Sequence, residues 1–129
     1  MSGAFNRFVA RVAIAAALAS LIAARCEAVE GDVSAGATLF ADRCAGCHGS
    51  DGRGGGIGIR LLAMVRGADR PIDFTDARVM ESWSQERLAL VIHDGGKAVG
   101  RSTLMPAFGD RLSADEISDL IIFIGSLHQ

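Results

Sequence analysis

The sequence predicts an all-α domain with long loops, on three observations. Apolar residues recur at helical spacing in separate stretches that carry recognisable cap residues. No convincing period-two alternation, the mark of a half-buried strand, occurs along the chain. Glycine is abundant, 16 of 129 residues, and crowds into one stretch at 49–58.

Residues 1–28 differ from the rest. Arg7 and Arg11 precede an apolar run, V-A-I-A-A-A-L-A-S-L-I-A-A at 12–24, and no acid appears before Glu27. Such a run suits the apolar region of an export signal and falls short of the roughly 20 residues needed to span a bilayer. Cleavage after Ala28, at C-E-A|V-E, satisfies the small-residue rule. An uncleaved anchor is the competing reading, weakened by the short 25–32 tether before the first domain helix. Arg25 ahead of Cys26 spoils a lipoprotein-type site, so Cys26 is expected to leave with the signal. The expectation is a bacterial periplasmic protein with residues 29–129 as its one domain.

Without residues 1–28 the chain keeps 10 basic and 14 acidic side chains, a net charge of −4. That balance excludes a nucleic-acid binder. Half of the chain is apolar, which argues against disorder. Six Phe, one Trp and no Tyr are a thin aromatic inventory. A domain this small gains from a large buried cofactor.

The elements follow in order. Asp32 or Ser34 can cap a first helix over about 35–42, ending at a cysteine pair. Residues 49–58, G-S-D-G-R-G-G-G-I-G, hold six glycines and are expected as loop. The segment I-R-L-L-A-M-V-R (59–66) has helical composition, with Met64 expected in core packing. A polar loop with Pro71 and D-F-T-D (73–76) follows, and Met80 reads as packing. Ser84 starts a clear helix on which Leu88, Val91 and Ile92 have helical spacing, stopped by Gly95 and Gly96. Residues 97–112 read as a loop containing S-T-L-M-P-A-F-G. S-A-D-E at 113–116 is a capping box that opens a last helix with the stripe Ile117, Leu120, Ile121, Ile124 and Leu127.

Residues 43–48 read R-C-A-G-C-H. A structural zinc site wants a second ligand pair, and Cys44/Cys47 has none in the sequence. A redox dithiol of the thioredoxin kind wants a βαβ setting. A plain disulfide is compatible with export but leaves His48 unexplained. C-x-x-C-H is the pattern of c-type haem attachment. Two intervening residues let both sulfurs reach one porphyrin edge as thioethers, and the next residue aims its imidazole at the iron from the same side.

A low-spin carrier then needs a sixth ligand. Met105 stands in a loop, followed by Pro106 and close to Phe108. Proline fixes the local backbone and removes a donor, so such a loop can hold a thioether rigidly. Imidazole plus thioether is a known haem ligand pair that raises the reduction potential. Loop packing of Met105, or a different sixth ligand, is the alternative. His93, in the last turn of its helix, reads as favourable charge at a helix C-terminus. His128 carries no functional weight.

With G-A-T-L-F-A-D-R-C-A-G-C-H-G-S-D-G-R-G, P-I-D-F-T-D and the stretch from L-A-L-V-I-H-D-G-G-K through L-M-P-A-F-G-D-R-L-S-A-D-E-I, the sequence resembles a class I, mono-haem cytochrome c. The resemblance implies the cytochrome c fold, about three to five helices with long loops around one haem. It implies one haem c per chain, covalent through Cys44 and Cys47, with His48 and Met105 as axial ligands. It also implies crossed first and last helices, with Gly36 and Phe40 on one and Phe123 on the other. One departure is plain. The family often has a proline ten to twelve residues after the proximal histidine, and I-G-I-R (57–60) fills that region here.

The function so implied is electron transfer, with iron cycling between Fe(III) and Fe(II), and no enzymatic activity. Redox partner proteins would dock transiently at an exposed haem edge, and Lys97 and Arg101 form a candidate rim. A membrane contact is expected only if the N-terminal segment stays uncleaved, and a monomer is the default. A haem peroxidase or gas sensor with a labile sixth ligand is one alternative. A tethered cytochrome subunit of a membrane oxidase or dehydrogenase is the other.

Overall fold

The computed structural model describes residues 31–129. The export segment and its cleavage site, including Cys26, lie outside the described residues. Among the described residues there are six α-helices, one 3-10 helix and no strand. The helices are α1 (Val33–Arg43), α2 (Ala45–His48), α3 (Ile57–Arg66), α4 (Ala77–Met80), α5 (Gln85–Asp94) and α6 (Ala114–Ser126). The 3-10 turn is Gly96–Val99. The count exceeds three to five because α2 and α4 are single turns of four residues, too short to leave a periodic pattern. No described helix is long and apolar enough to cross a membrane.

The chain ends of the domain are tied by α1 crossing α6. Asp32, not Ser34, is the N-cap of α1: its carboxylate accepts from the backbone N–H of Ser34 and Ala35. Its own N–H donates to the Asp119 carboxylate at 2.7 Å, so one residue both starts α1 and pins it to α6. Gly36 faces the α6 backbone at Asp119 with no space for a side chain, and that close approach seats Phe40 on Phe123, ring centroids 5.2 Å apart. The last helix carries the expected capping box, Ser113 with Glu116. Ile117, Leu120, Ile121 and Ile124 are buried along it, and Leu127 becomes its C-cap, partly buried.

The main core joins this crossing to α5. Leu88, Val91 and Ile92 pack with Phe40, Phe74, Met80 and Trp83. Met80 is buried, as its setting in the sequence implied. Two expectations need correction. Helix α3 begins at Ile57, so Ile57 and Gly58 are helical and the glycine loop is two residues shorter. Met64 is not in the core but 84% exposed, on an outer face with Ile57, Leu61 and Val65. The segment is apolar nearly all round, so composition could not choose its inner face; packing buried Ile59 instead.

Candidate functional site

Helix α1 delivers the cysteine pair. Its C-cap is Cys44, whose N–H donates to the Phe40 carbonyl. The chain then makes the single turn α2, in which the N–H groups of Cys47 and His48 both donate to the Cys44 carbonyl. That turn brings both thiols and the imidazole to one wall. Cys44, Cys47 and His48 line a common cavity of about 640 Å³. The volume falls within the roughly 300–1,000 Å³ of cofactor sites.

Met105 lines the same cavity from the loop after the 3-10 turn. The loop is docked onto the end of α5: Phe108 N–H donates to the Ile92 carbonyl and Gly109 N–H to the His93 carbonyl. Gly96 N–H donates to the Met105 carbonyl at 3.0 Å. A Cβ on Gly96 would run into the Ser102 carbonyl, so the Gly-Gly pair does more than end α5: it admits the methionine loop at backbone contact distance. The sequence placed His48 and Met105 57 positions apart, and the fold brings both to one chamber.

The other histidines stay out. His93 Nδ1 lies 2.7 Å from the Asp94 carboxylate on the exposed side of α5, and its ring packs over Gly109. His128 is partly buried at the end of the chain, with its Nδ1 unpaired. Neither lines the cavity. Among the described residues no cluster of three His, Cys, Asp or Glu could hold a metal ion.

The electrostatics suit a large apolar cofactor. Burial pushes the Cys44 thiol up to about 11, with the Cys47 thiol nearby adding to it. Burial also lowers His48 to about 4, so its imidazole is neutral at ordinary pH and free to bind a metal. Of the three buried ring nitrogens without a partner among the described residues, two belong to residues that line the cavity, His48 Nδ1 and Trp83 Nε1. Trp83 lines the cavity; Arg87 lies over its ring at 4.5 Å, and Arg101, also in the lining, at 5.7 Å. Arg101, a cation in the cavity lining, fits a carboxylate, and haem carries two. Apolar walls, a neutral half-buried imidazole, two thiols and a cation for a carboxylate all fit that group.

Sequence reasoning missed Trp83 and Phe74. Phe74 is 5% exposed and stacks on the His48 ring, with centroids 4.8 Å apart and planes 14° apart. The one tryptophan of the chain, two residues before a helix start and next to arginine-bearing segments, was the available signal for Trp83. The D-F-T-D stretch was the signal for Phe74. Of the expected rim, Arg101 borders the cavity and Lys97 does not. Pro71 does line it, whereas Ile57–Arg60 forms the first turn of α3.

Comparison with known proteins agrees with this chemistry. The family model for cytochrome c matches residues 33–128. Among solved structures the chain is similar to the KustC0563 c-type cytochrome, at 26% identity and a TM-score of 0.56, covering 73% of this chain and 98% of that one. No curated protein matches. The family match takes in every helix described above, from the first residue of α1 to beyond the last of α6. This chain therefore belongs to the cytochrome c family, proteins that transfer electrons through bound haem.

Proposed function

We propose that this chain is a mono-haem electron carrier of the class I type, exported to the bacterial periplasm and not an enzyme. Cys44 and Cys47 hold the haem as thioethers, and His48 Nε2 and Met105 Sδ ligate its iron. Bound haem supplies the one-electron Fe(III)/Fe(II) couple. The single observation that carries the reading is the convergence of α2 and the Met105 loop on one apolar cavity.

The chain's own residues set how that couple behaves. The neutral His48 ring is ready to donate without first losing a proton. Phe40, Ile59, Val91, Ile92, Leu120 and Ile124 give the cavity an apolar lining, which disfavours the extra positive charge of the oxidised state and raises the potential. A methionine thioether acts in the same direction. Backbone hydrogen bonds on both sides of Met105 hold its loop through the redox change, so reorganisation stays small.

The partner is a redox protein that docks briefly. Arg43, Arg70 and Arg101 line the cavity with Asp69, Arg43 being paired with the Asp42 carboxylate at 2.6 Å, and Arg60 stands on α3. Helix α3 turns Ile59 into the cavity and leaves Ile57, Leu61, Met64 and Val65 exposed on its outer face as an apolar contact surface. An acidic rim around an apolar contact is the complementary surface, and charge of this kind speeds encounter more than it adds affinity.

The test is an optical spectrum of protein produced with haem-attachment machinery, beside Met105→Ala. Wild type is expected to show the weak near-infrared sulfur-to-ferric-iron band, and the variant to lose it. A high-spin wild-type spectrum without the band would remove Met105 from the iron and return the peroxidase or sensor reading to first place.

A further inference from the structure

His48 presents an unusual balance of supports. A metal-binding histidine ordinarily donates its second ring N–H to a carbonyl or carboxylate, which fixes the plane of the ring. Here His48 Nδ1 is buried with no partner among the described residues. The imidazole is held by an aromatic face instead. Phe74 lies parallel to it at 4.8 Å, whereas Phe40 meets it only at a tilt of 56° and 6.3 Å.

Phe74 is itself held firmly. Its N–H donates to the Gly52 carbonyl at 2.9 Å. On either side, the Asp73 carboxylate accepts from both the N–H and the hydroxyl of Thr75, at 2.8 and 2.6 Å. Two residues on, Asp76 caps α4. Behind the ring stands Phe40, edge-on at 6.1 Å and 70°, which in turn packs on Phe123 of α6. A continuous series of rings, Phe123, Phe40, Phe74 and His48, thus runs from the α1–α6 crossing to the imidazole. A flat ring parallel to another restricts rotation about the imidazole's χ2, a torsion that is otherwise broad.

We propose that Phe74 is the positioning residue of His48: its ring, pinned by the D-F-T-D turn, sets the plane of the imidazole. The proposal rests on the reading of His48 as an iron ligand. Its consequence is electronic as well as steric. Ring-plane orientation governs which iron orbital the imidazole overlaps, and an imidazole held by stacking keeps its N–H proton fully, making it a weaker electron donor than one with a strong acceptor.

The test uses the full haem-loaded protein and the variants Phe74→Leu, Phe74→Tyr and Met80→Ala. The readouts are the haem-methyl proton shifts of the ferric state and the ferric EPR g-values, with the melting temperature beside them. Phe74→Leu is expected to rearrange the methyl shifts and move the g-values, while Phe74→Tyr stays close to wild type. Met80→Ala truncates a buried side chain of the same core that does not line the cavity, and is expected to lower the melting temperature while keeping the methyl pattern. A folded, low-spin Phe74→Leu protein with wild-type methyl shifts and g-values would overturn the proposal, and so would Met80→Ala and Phe74→Leu changing them alike. In case Phe74→Leu does not fold, wild type decides alone: ferrous-state nuclear Overhauser contacts between the Phe74 ring and the His48 ring protons are expected, and their absence sinks the idea. Wild type lacking a histidine-ligated low-spin spectrum is a separate result, which overturns the ligand reading and this proposal with it.

Discussion

Gly36 of α1 lies against the main-chain carbonyl of Asp119 in α6, so closely that a Cβ at position 36 would collide with it and with Phe123. The crossing depends on that missing side chain. Gly36→Ala sets two effects against each other. Alanine favours a helix interior by roughly 0.5–1 kcal/mol, whereas forcing an extra carbon into a close contact costs about 1–3 kcal/mol. The obstacle is backbone, which cannot swing aside, so the second effect is expected to win. Urea denaturation of the holoprotein should show a net loss of about 1–2 kcal/mol.

Gly96 plays the matching part at the other end of the cavity. Gly96→Ala is expected to push the Ser102–Met105 stretch outward, since the added carbon meets the Ser102 carbonyl. With Met105 as ligand, added imidazole should then displace it more readily, by about tenfold for each ~1.4 kcal/mol of loop strain. Imidazole titration followed at the near-infrared band measures this directly. Equal titration curves for wild type and variant would separate Gly96 from the ligand loop.

Charge gives a prediction in which the sign decides. Without residues 1–28 the chain carries a net −4, so a small anionic oxidant such as ferricyanide should react faster as salt screens repulsion from the whole molecule. The cavity border, with Arg43, Arg70 and Arg101 against Asp69 and the Asp42 partner of Arg43, predicts the opposite where the haem carboxylates are turned inward: attraction, and a rate that falls as salt is added. The local field is expected to prevail, because only nearby charges escape screening within about 10 Å at 0.1 M salt. Stopped-flow oxidation over a salt series checks it, and Arg43→Gln should flatten the slope.

The capping box of α6 makes a pH prediction. Hydrogen bonds from the Ser113 backbone N–H and hydroxyl hold the Glu116 carboxyl below its ordinary value. A carboxyl with a folded pKa below its unfolded one adds stability above the unfolded value and loses it as pH falls through the folded one. Stability should therefore decline on the acid side from this group, and Glu116→Gln should remove that part of the decline. Ser113→Ala is expected to cost about 1 kcal/mol near neutral pH. Melting temperatures from neutral pH down through the carboxylate range test both.

The legible parts of the fold were those with local causes. S-A-D-E announced the start of α6 because a capping box is written in four consecutive residues. Gly95 marked the end of α5 because helix termination there needs a positive φ, 84° in the structure. C-x-x-C-H brought Cys44, Cys47 and His48 to one cavity, since Cys44 caps the single turn that carries the other two. The missed parts had distant causes. Met64 was expected inside because its segment is mostly apolar, and only packing of Ile59 decided which face turned inward. Phe74 and Trp83 left only weak local signals, because their partners His48 and Arg101 lie 26 and 18 positions away along the chain and reach them through the fold.

By itself, then, the sequence determined the helical class, the caps, the C-x-x-C-H turn and a methionine held in a proline-flanked loop, all properties of short-range backbone and side-chain chemistry. Tertiary structure alone decided that His48 and Met105 share a cavity, that Phe74 lies flat against the imidazole, and that Trp83 joins the lining beneath Arg101. Those relations arise where α1 crosses α6 and the loops close over α5. They depend on which surfaces exclude water together, which no single stretch of chain can specify.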